Sequence, residues 1–145
     1  MKTKYFILLF ILSVLVYSCT IESSGNGKLD GYWKLASIDT ISTGKTLTLT
    51  DKRLYWSVES KLLDLHDADG IHSHILVRFN NTGDSLLLSS PYGYDRENGD
   101  TLLTDYTVMQ PYGINSLYEH FKILKLNGSD MVLQSSTLIL HLEQY

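Results

Sequence analysis

The sequence predicts an all-β fold from Leu29 to the C-terminus, an antiparallel sandwich or barrel of about eight to ten short strands. Three observations point there. Apolar residues recur with a period of two, turn residues separate the runs, and no linker or internal repeat interrupts the succession.

Trp33 and Leu35 alternate with Tyr32 and Lys34, and Leu47 and Leu49 are interleaved with Thr46, Thr48 and Thr50. Leu54, Trp56 and Val58 alternate with Arg53, Tyr55, Ser57 and Glu59. Ile75, Val77 and Phe79 alternate with His74, Leu76 and Arg78, and Leu138, Leu140 and Leu142 with Ile139, His141 and Glu143. Successive side chains of a strand point to opposite faces, so each run is a strand with one buried face. Asn80-Asn81-Thr82-Gly83-Asp84 and Asn127-Gly128-Ser129-Asp130 separate further runs, and Asn-Gly supplies the positive φ angles of a tight hairpin. Closure into a barrel is favoured because it removes exposed sheet edges.

Two segments break the alternation. Pro91 to Asp100, with Tyr92, Tyr94 and two glycines, reads as a long exposed loop. Pro111 to His120 contains Ser116-Leu-Tyr-Glu119, the spacing of a capping box, which predicts a short helical turn across one end of the sheet.

The N-terminus has a different character. Lys2 and Lys4 precede an almost unbroken apolar run from Phe6 to Val16, followed by Val16-Tyr17-Ser18-Cys19. A basic start, an apolar core of this length and a small residue at the cut make a secretory signal peptide. The run is shorter than the roughly 20 residues a membrane span needs. Cys19 is the single cysteine of the chain, so it has no disulfide partner. Its setting resembles the lipobox of bacterial lipoproteins, which implies cleavage before Cys19 and lipidation of it with diacylglycerol and palmitate. The expected division is a signal peptide over 1–18, a lipidated cysteine with a small, polar, flexible tether over 19–28, and one β-domain over 29–145. The expected location is the cell envelope, on the outer membrane, with the lipid as the membrane contact.

Removing residues 1–18 takes away two lysines, leaving 127 residues with a formal charge of −6 against −4 for the whole chain. That length suits one domain with a real core. The acidic balance argues against nucleic acid, which needs a basic stripe, and against a polybasic membrane-docking face.

Leu29-Asp30-Gly31-Tyr32-Trp33-Lys34-Leu35 resembles the Gly-x-Trp signature that opens the first strand of lipocalins. The whole mature chain is similar to the lipocalin-like lipoproteins of Bacteroidota. The similarity extends through Gln110-Pro-Tyr-Gly-Ile-Asn-Ser-Leu117, the stretch Phe121 to Ser135, and Thr137-Leu-Ile-Leu-His-Leu142. The resemblance implies a calycin-like, up-and-down antiparallel barrel with an internal cavity, often holding an apolar small molecule. Lipocalins usually stack a late arginine on the signature tryptophan. No arginine follows Arg96 here, so that contact is absent or falls to Lys122 or Lys125.

Two functions from different classes fit these features. One is a small-molecule binding barrel with Trp33, Leu35, Trp56, Val77 and Phe79 facing its interior, since ligand pockets are lined by such groups. The other is an interaction module, solid inside, that recognises a protein or glycan through loop tyrosines Tyr92, Tyr94, Tyr112 and Tyr118. No catalytic residues are expected: there is no Gly-x-Ser-x-Gly elbow and no His-Glu-x-x-His helix, and the lone cysteine is the lipidation site. No cofactor is called for. His72-Ser-His74 would project two imidazoles from one strand face, with His66, Asp67 and Asp69 near in sequence. That face lies opposite Ile75-Val77-Phe79, so both histidines are expected in solvent without a metal.

Overall fold

The computed structural model describes residues 24–145, so the segment expected to be a signal peptide and Cys19 lie outside the described residues. Ten strands follow one another: β1 (Gly31–Thr40), β2 (Lys45–Thr48), β3 (Leu54–Glu59), β4 (Leu62–Asp67), β5 (Ile75–Asn81), β6 (Ser85–Gly93), β7 (Thr101–Leu102), β8 (Glu119–Leu126), β9 (Asp130–Gln134) and β10 (Leu138–Gln144). Eight of them close a barrel in the order β1-β3-β4-β5-β6-β8-β9-β10, with β10 pairing back onto β1. Every pairing is antiparallel. β2 extends β1 and β7 extends β6, outside the closed circuit.

Chain order and spatial order coincide because short turns join neighbours, the condition for an up-and-down meander. β1 is long enough to serve three partners: Gly31–Lys34 pairs with β3, Ser37–Thr40 with β2, and Trp33–Thr40 with β10. A bulge at Ala36 makes this possible. It breaks the period of two, so Leu35 and Ala36 are both buried, and the strand bends toward β2.

The core is the inner face of the circuit. Trp33, Leu35, Trp56, Leu63, Leu65, Ile75, Leu86, Phe121, Met131, Leu133 and Leu140 are fully buried in it. Trp33 and Trp56 stand opposite each other on β1 and β3. Trp56 meets Phe121 edge-on, with ring centroids 5.8 Å apart, the geometry the ring quadrupoles favour.

A 3-10 turn, Gly27–Leu29, closes one end. The Trp33 indole N–H donates to the Leu29 carbonyl at 2.9 Å, and both residues are fully buried. That bond takes the place of the arginine stacking the family pattern suggests. Lys122 and Lys125 are both exposed, and Lys125 is paired with Asp130 at 3.0 Å. Gly31 stands at φ +143°, a backbone conformation that strains any side chain, and a Cβ there would also push the Gln144 amide aside from 2.6 Å. The folded part reaches back into the stretch read as tether. Ser24 and Asn26 bond to the Asp30 carboxylate, and the Asn26 amide also donates to the Ser60 carbonyl at 2.5 Å.

The helical element lies earlier in the chain than the capping-box spacing predicts. Residues 116–118 form bends and Glu119 already opens β8. The Glu119 carboxylate still reaches back, to the Asn115 N–H at 3.1 Å, but it fastens a loop rather than a helix. The observed turn is a 3-10 segment, Tyr106–Tyr112. Asp105 caps its start by accepting from the Thr107 N–H, and Gly113 ends it in the left-handed region at φ +83°. A Cβ on Gly113 would lie 2.5 Å from Leu140 Cδ2, so the segment docks where no side chain could stand.

Leu47 departs from expectation too. It is 58% exposed while Leu49 is buried, because β2 overhangs the barrel and the chain turns inward only after Thr48.

Candidate functional site

The interior and the outer sheet face are the two places where chemistry could gather. Trp33, Leu35, Trp56, Val77 and Phe79 all face the interior. There they pack against Met109, Tyr112 and Ile114, carried in from the 3-10 segment and its exit. Tyr112 was expected on a recognition loop, yet it is fully buried. Its hydroxyl donates to the Ser73 carbonyl at 2.8 Å, and its own carbonyl accepts from the Trp56 indole at 3.2 Å. The segment is therefore a plug, fastened through its backbone to a tryptophan at the centre of the barrel.

Burial holds the Tyr112 phenol un-ionised far above the usual phenol range, and the Asp67 and Asp64 carboxylates push the same way. Burial also raises Tyr32 and Tyr55, with neighbouring Tyr145 adding to both. A folded-state value above the unfolded one means stability that is complete below about pH 10 and is lost as pH rises through the folded value. Alkaline titration should accordingly show the last phenolate absorbance appearing together with loss of far-UV dichroism. Smooth ionisation of all tyrosines near pH 10 in a folded domain would contradict this placement.

On the outside, six aromatic side chains from different parts of the chain form one strip. Tyr32 stacks on Tyr55 at 4.6 Å, and Tyr145 sets its edge against both. His66 lies beside Tyr32 and Tyr55, His74 is next at 5.8 Å from His66, and Tyr94 stacks on His74 at 4.1 Å. The Arg96 guanidinium covers Tyr94 at 5.5 Å. Beneath the rings runs a hydrogen-bonded chain. The Tyr32 hydroxyl is 2.5 Å from His66 Nε2, and Asp64 Oδ1 lies 3.3 Å from His66 Nδ1 and 2.7 Å from His74 Nε2. Each imidazole satisfies Asp64 by keeping its proton on the nitrogen that faces the carboxylate, which leaves His66 Nε2 to accept from Tyr32.

The two histidines singled out in sequence do not act as a pair. β5 begins only at Ile75, so His72 and His74 precede the strand rather than share its face. His72 is exposed, and its backbone N–H donates to Asp67, whereas His74 turns to Asp64. Among the described residues no group of three or more His, Cys, Asp or Glu side chains is arranged to hold a metal. Asp67 instead organises its own turn by accepting the N–H groups of Asp69, Ile71 and His72. Burial alone would raise its carboxyl, but those three bonds outweigh it and hold the group below the usual carboxylate range.

Shallow clefts open on the outer face. One of about 490 Å³ lies between Tyr118–His120 and Gln134–Ser136, and a neighbouring one of about 420 Å³ lies between Tyr118 and Leu87. Two more meet at Leu62. The first, about 340 Å³, has Leu76 and Tyr92 for its floor and Arg78 and Asp100 at its rim. The second, about 310 Å³, runs past Ser57 and Ser60 between Glu59 and Asp64. The expected loop tyrosines thus divide. Tyr118 is exposed, Tyr92 lines a cleft from a strand, Tyr94 is held in the aromatic strip, and Tyr112 is core.

The fold has solved counterparts. A lipocalin-like protein from Bacteroides uniformis superposes with a TM-score of 0.61 at 15% identity, covering 82% of this chain and 100% of that one. An uncharacterized protein from Bacteroides eggerthii superposes with a TM-score of 0.52 at 13% identity, covering 80% and 98%. At such identities the likeness is one of fold. No functionally curated protein matches the sequence. The model of the lipocalin-like domain family matches residues 11–145. With nearly the whole chain matched and the closed antiparallel barrel in view, the chain belongs to the lipocalin-like domain family.

Proposed function

We propose that this protein is a lipid-anchored module of the cell envelope, without catalytic activity, that recognises a protein or glycan on the outside of its barrel. The observation that carries the reading is the packed interior. A ligand pocket takes roughly 300–1,000 Å³, and here the corresponding space holds Trp33, Trp56, Phe121 and the Tyr112 plug, each fully buried. An eight-stranded barrel can be filled by side chains or hold one small ligand, and here side chains occupy the inner face.

Family membership favours a second reading, a small apolar ligand inside the barrel. Such a ligand would have to displace Met109, Tyr112 and Ile114, which all belong to one segment between β7 and β8 and could leave together. Tryptophan emission separates the two readings, since Trp56 touches the plug. Titration of the domain with fatty acids, haem and bile-acid-like probes should leave the emission unchanged. Saturable quenching or a blue shift would transfer the case to interior binding.

The anchor rests on Cys19, the lone cysteine directly after the apolar run. Intact mass of the native protein should show a mature chain beginning at Cys19 and carrying diacylglycerol. Cys19→Ala should give an uncleaved or mislocalised product without it. An unmodified mature chain starting elsewhere would remove the anchor from the proposal.

A further inference from the structure

We infer that the outer-face groove centred on Leu62 binds an uncharged, hydroxyl-rich ligand, a glycan chain laid across β3 to β7. This rests on the surface-recognition reading above and names its ligand class.

Register places the groove in the sheet. Ser57, Asp64, Leu76, Tyr92 and Leu102 are successive cross-strand partners on β3, β4, β5, β6 and β7, so they form one row across the outer face. Four inter-strand steps of roughly 4.8 Å make the row about 19 Å long. Leu62, paired with Glu59 on one side and Arg78 on the other, rises beside it, and a cleft opens on each flank. One cleft is lined by Leu62, Leu76 and Tyr92 with Arg78 and Asp100, and the other by Leu62 with Ser57, Ser60, Glu59 and Asp64.

Charge decides the ligand class. The groove presents the carboxylates of Glu59, Asp64 and Asp100 against the single guanidinium of Arg78, so an anionic ligand meets net repulsion. A purely apolar ligand or partner would strip water from the Arg78 guanidinium and the Glu59 carboxylate without giving them partners. Sugar hydroxyls donate to carboxylates and accept from guanidinium, and the C–H faces of the rings can lie on Tyr92, Leu76 and Leu62.

The polar groups are also available. Several charged side chains elsewhere on the barrel are engaged, as in Arg53 with Asp69, Lys125 with Asp130 and His141 with Asp39. Among the described residues, the Arg78 guanidinium, the Glu59 carboxylate and the Tyr92 hydroxyl have no hydrogen-bond partner within the protein, although they stand within one groove. Asp64, in contrast, is braced by His66 and His74 and so holds a fixed direction.

The test uses the whole mature domain with four linear, uncharged probes: malto-, cello-, xylo- and mannohexaose. At least one should bind saturably by calorimetry, with affinity unchanged between low and high salt because no net charge is neutralised. Tyr92→Ala and Arg78→Ala should each weaken that binding about tenfold or more, as for side chains central to a contact. Dichroism and thermal midpoint should stay near wild type, since both residues lie outside the core. Failure of all four probes to bind, or binding indifferent to Tyr92→Ala, overturns the glycan inference. Salt-sensitive binding of a decalysine probe in place of the sugars would also overturn it, while leaving surface recognition standing. An apolar probe that shifts tryptophan emission equally in wild type and Tyr92→Ala would remove the surface reading itself.

Discussion

Trp33→Ala should yield little folded protein. The indole is fully buried, its N–H is satisfied by the Leu29 carbonyl, and it braces the turn that closes the barrel end. Truncating such a tryptophan costs on the order of 3–5 kcal/mol through lost burial and the cavity left behind. A domain of this size has only about 5–15 kcal/mol in total. The Leu29 carbonyl would also lose its donor in a site that excludes water, which adds to the cost. Trp33→Phe keeps most of the volume and should survive as a weaker fold. Urea denaturation of the two variants checks the order. A Trp33→Ala domain within about 1 kcal/mol of wild type would mean that the end does not depend on the indole.

Tyr112→Ala should be comparably costly, on the order of 3–5 kcal/mol, and should also change what the domain can bind. The ring is fully buried and lies on the plug that meets Trp56. Its loss leaves a void lined by apolar groups, and voids of that kind stay dry and accept small apolar molecules. The variant should therefore gain an emission response to benzene-sized probes that the wild type lacks. Tyr112→Phe removes only the bond to Ser73 and should cost about 1 kcal/mol without any gain in binding. A Tyr112→Ala domain as stable as wild type, or one without the new response, would show that the segment is a lid rather than part of the core.

Much of the barrel could be read from alternation because the outer face is polar and the inner face is not. β5 and β10 follow the pattern closely, and Trp33 and Trp56 fall where the period of two puts them. β4 was harder to see. Leu63 and Leu65 alternate with Asp64 and His66, but acidic and imidazole side chains at that spacing also fit a metal-binding turn. The plug was misplaced because Ser116 to Glu119 imitates a capping box, while the true start is an aspartate two residues before the Thr107 it caps. Gly113 was the better signal, since a left-handed glycine ends a helical turn. The aromatic strip and the Leu62 groove were not visible at all. Their residues lie on separate elements between Tyr32 and Tyr145, and only strand register makes them neighbours.

The pairing of β10 with β1 sets the pace at which the molecule can form. Trp33 lies opposite Gln144, so the ring cannot close until the last strand is present. Every other barrel pairing joins strands that are consecutive or separated by one short strand, and only β6 and β8 have the 3-10 segment between them as well. Closing the circuit brings together residues more than a hundred positions apart, and loop entropy must be spent before those contacts give anything back. Folding should therefore be a late, cooperative event limited by this single seam. A chain lacking the final seven or eight residues would expose the open edges of β1 and β9 and be prone to pair with a second copy. Under the export proposed above, such a seam would keep the chain threadable until its C-terminus has emerged.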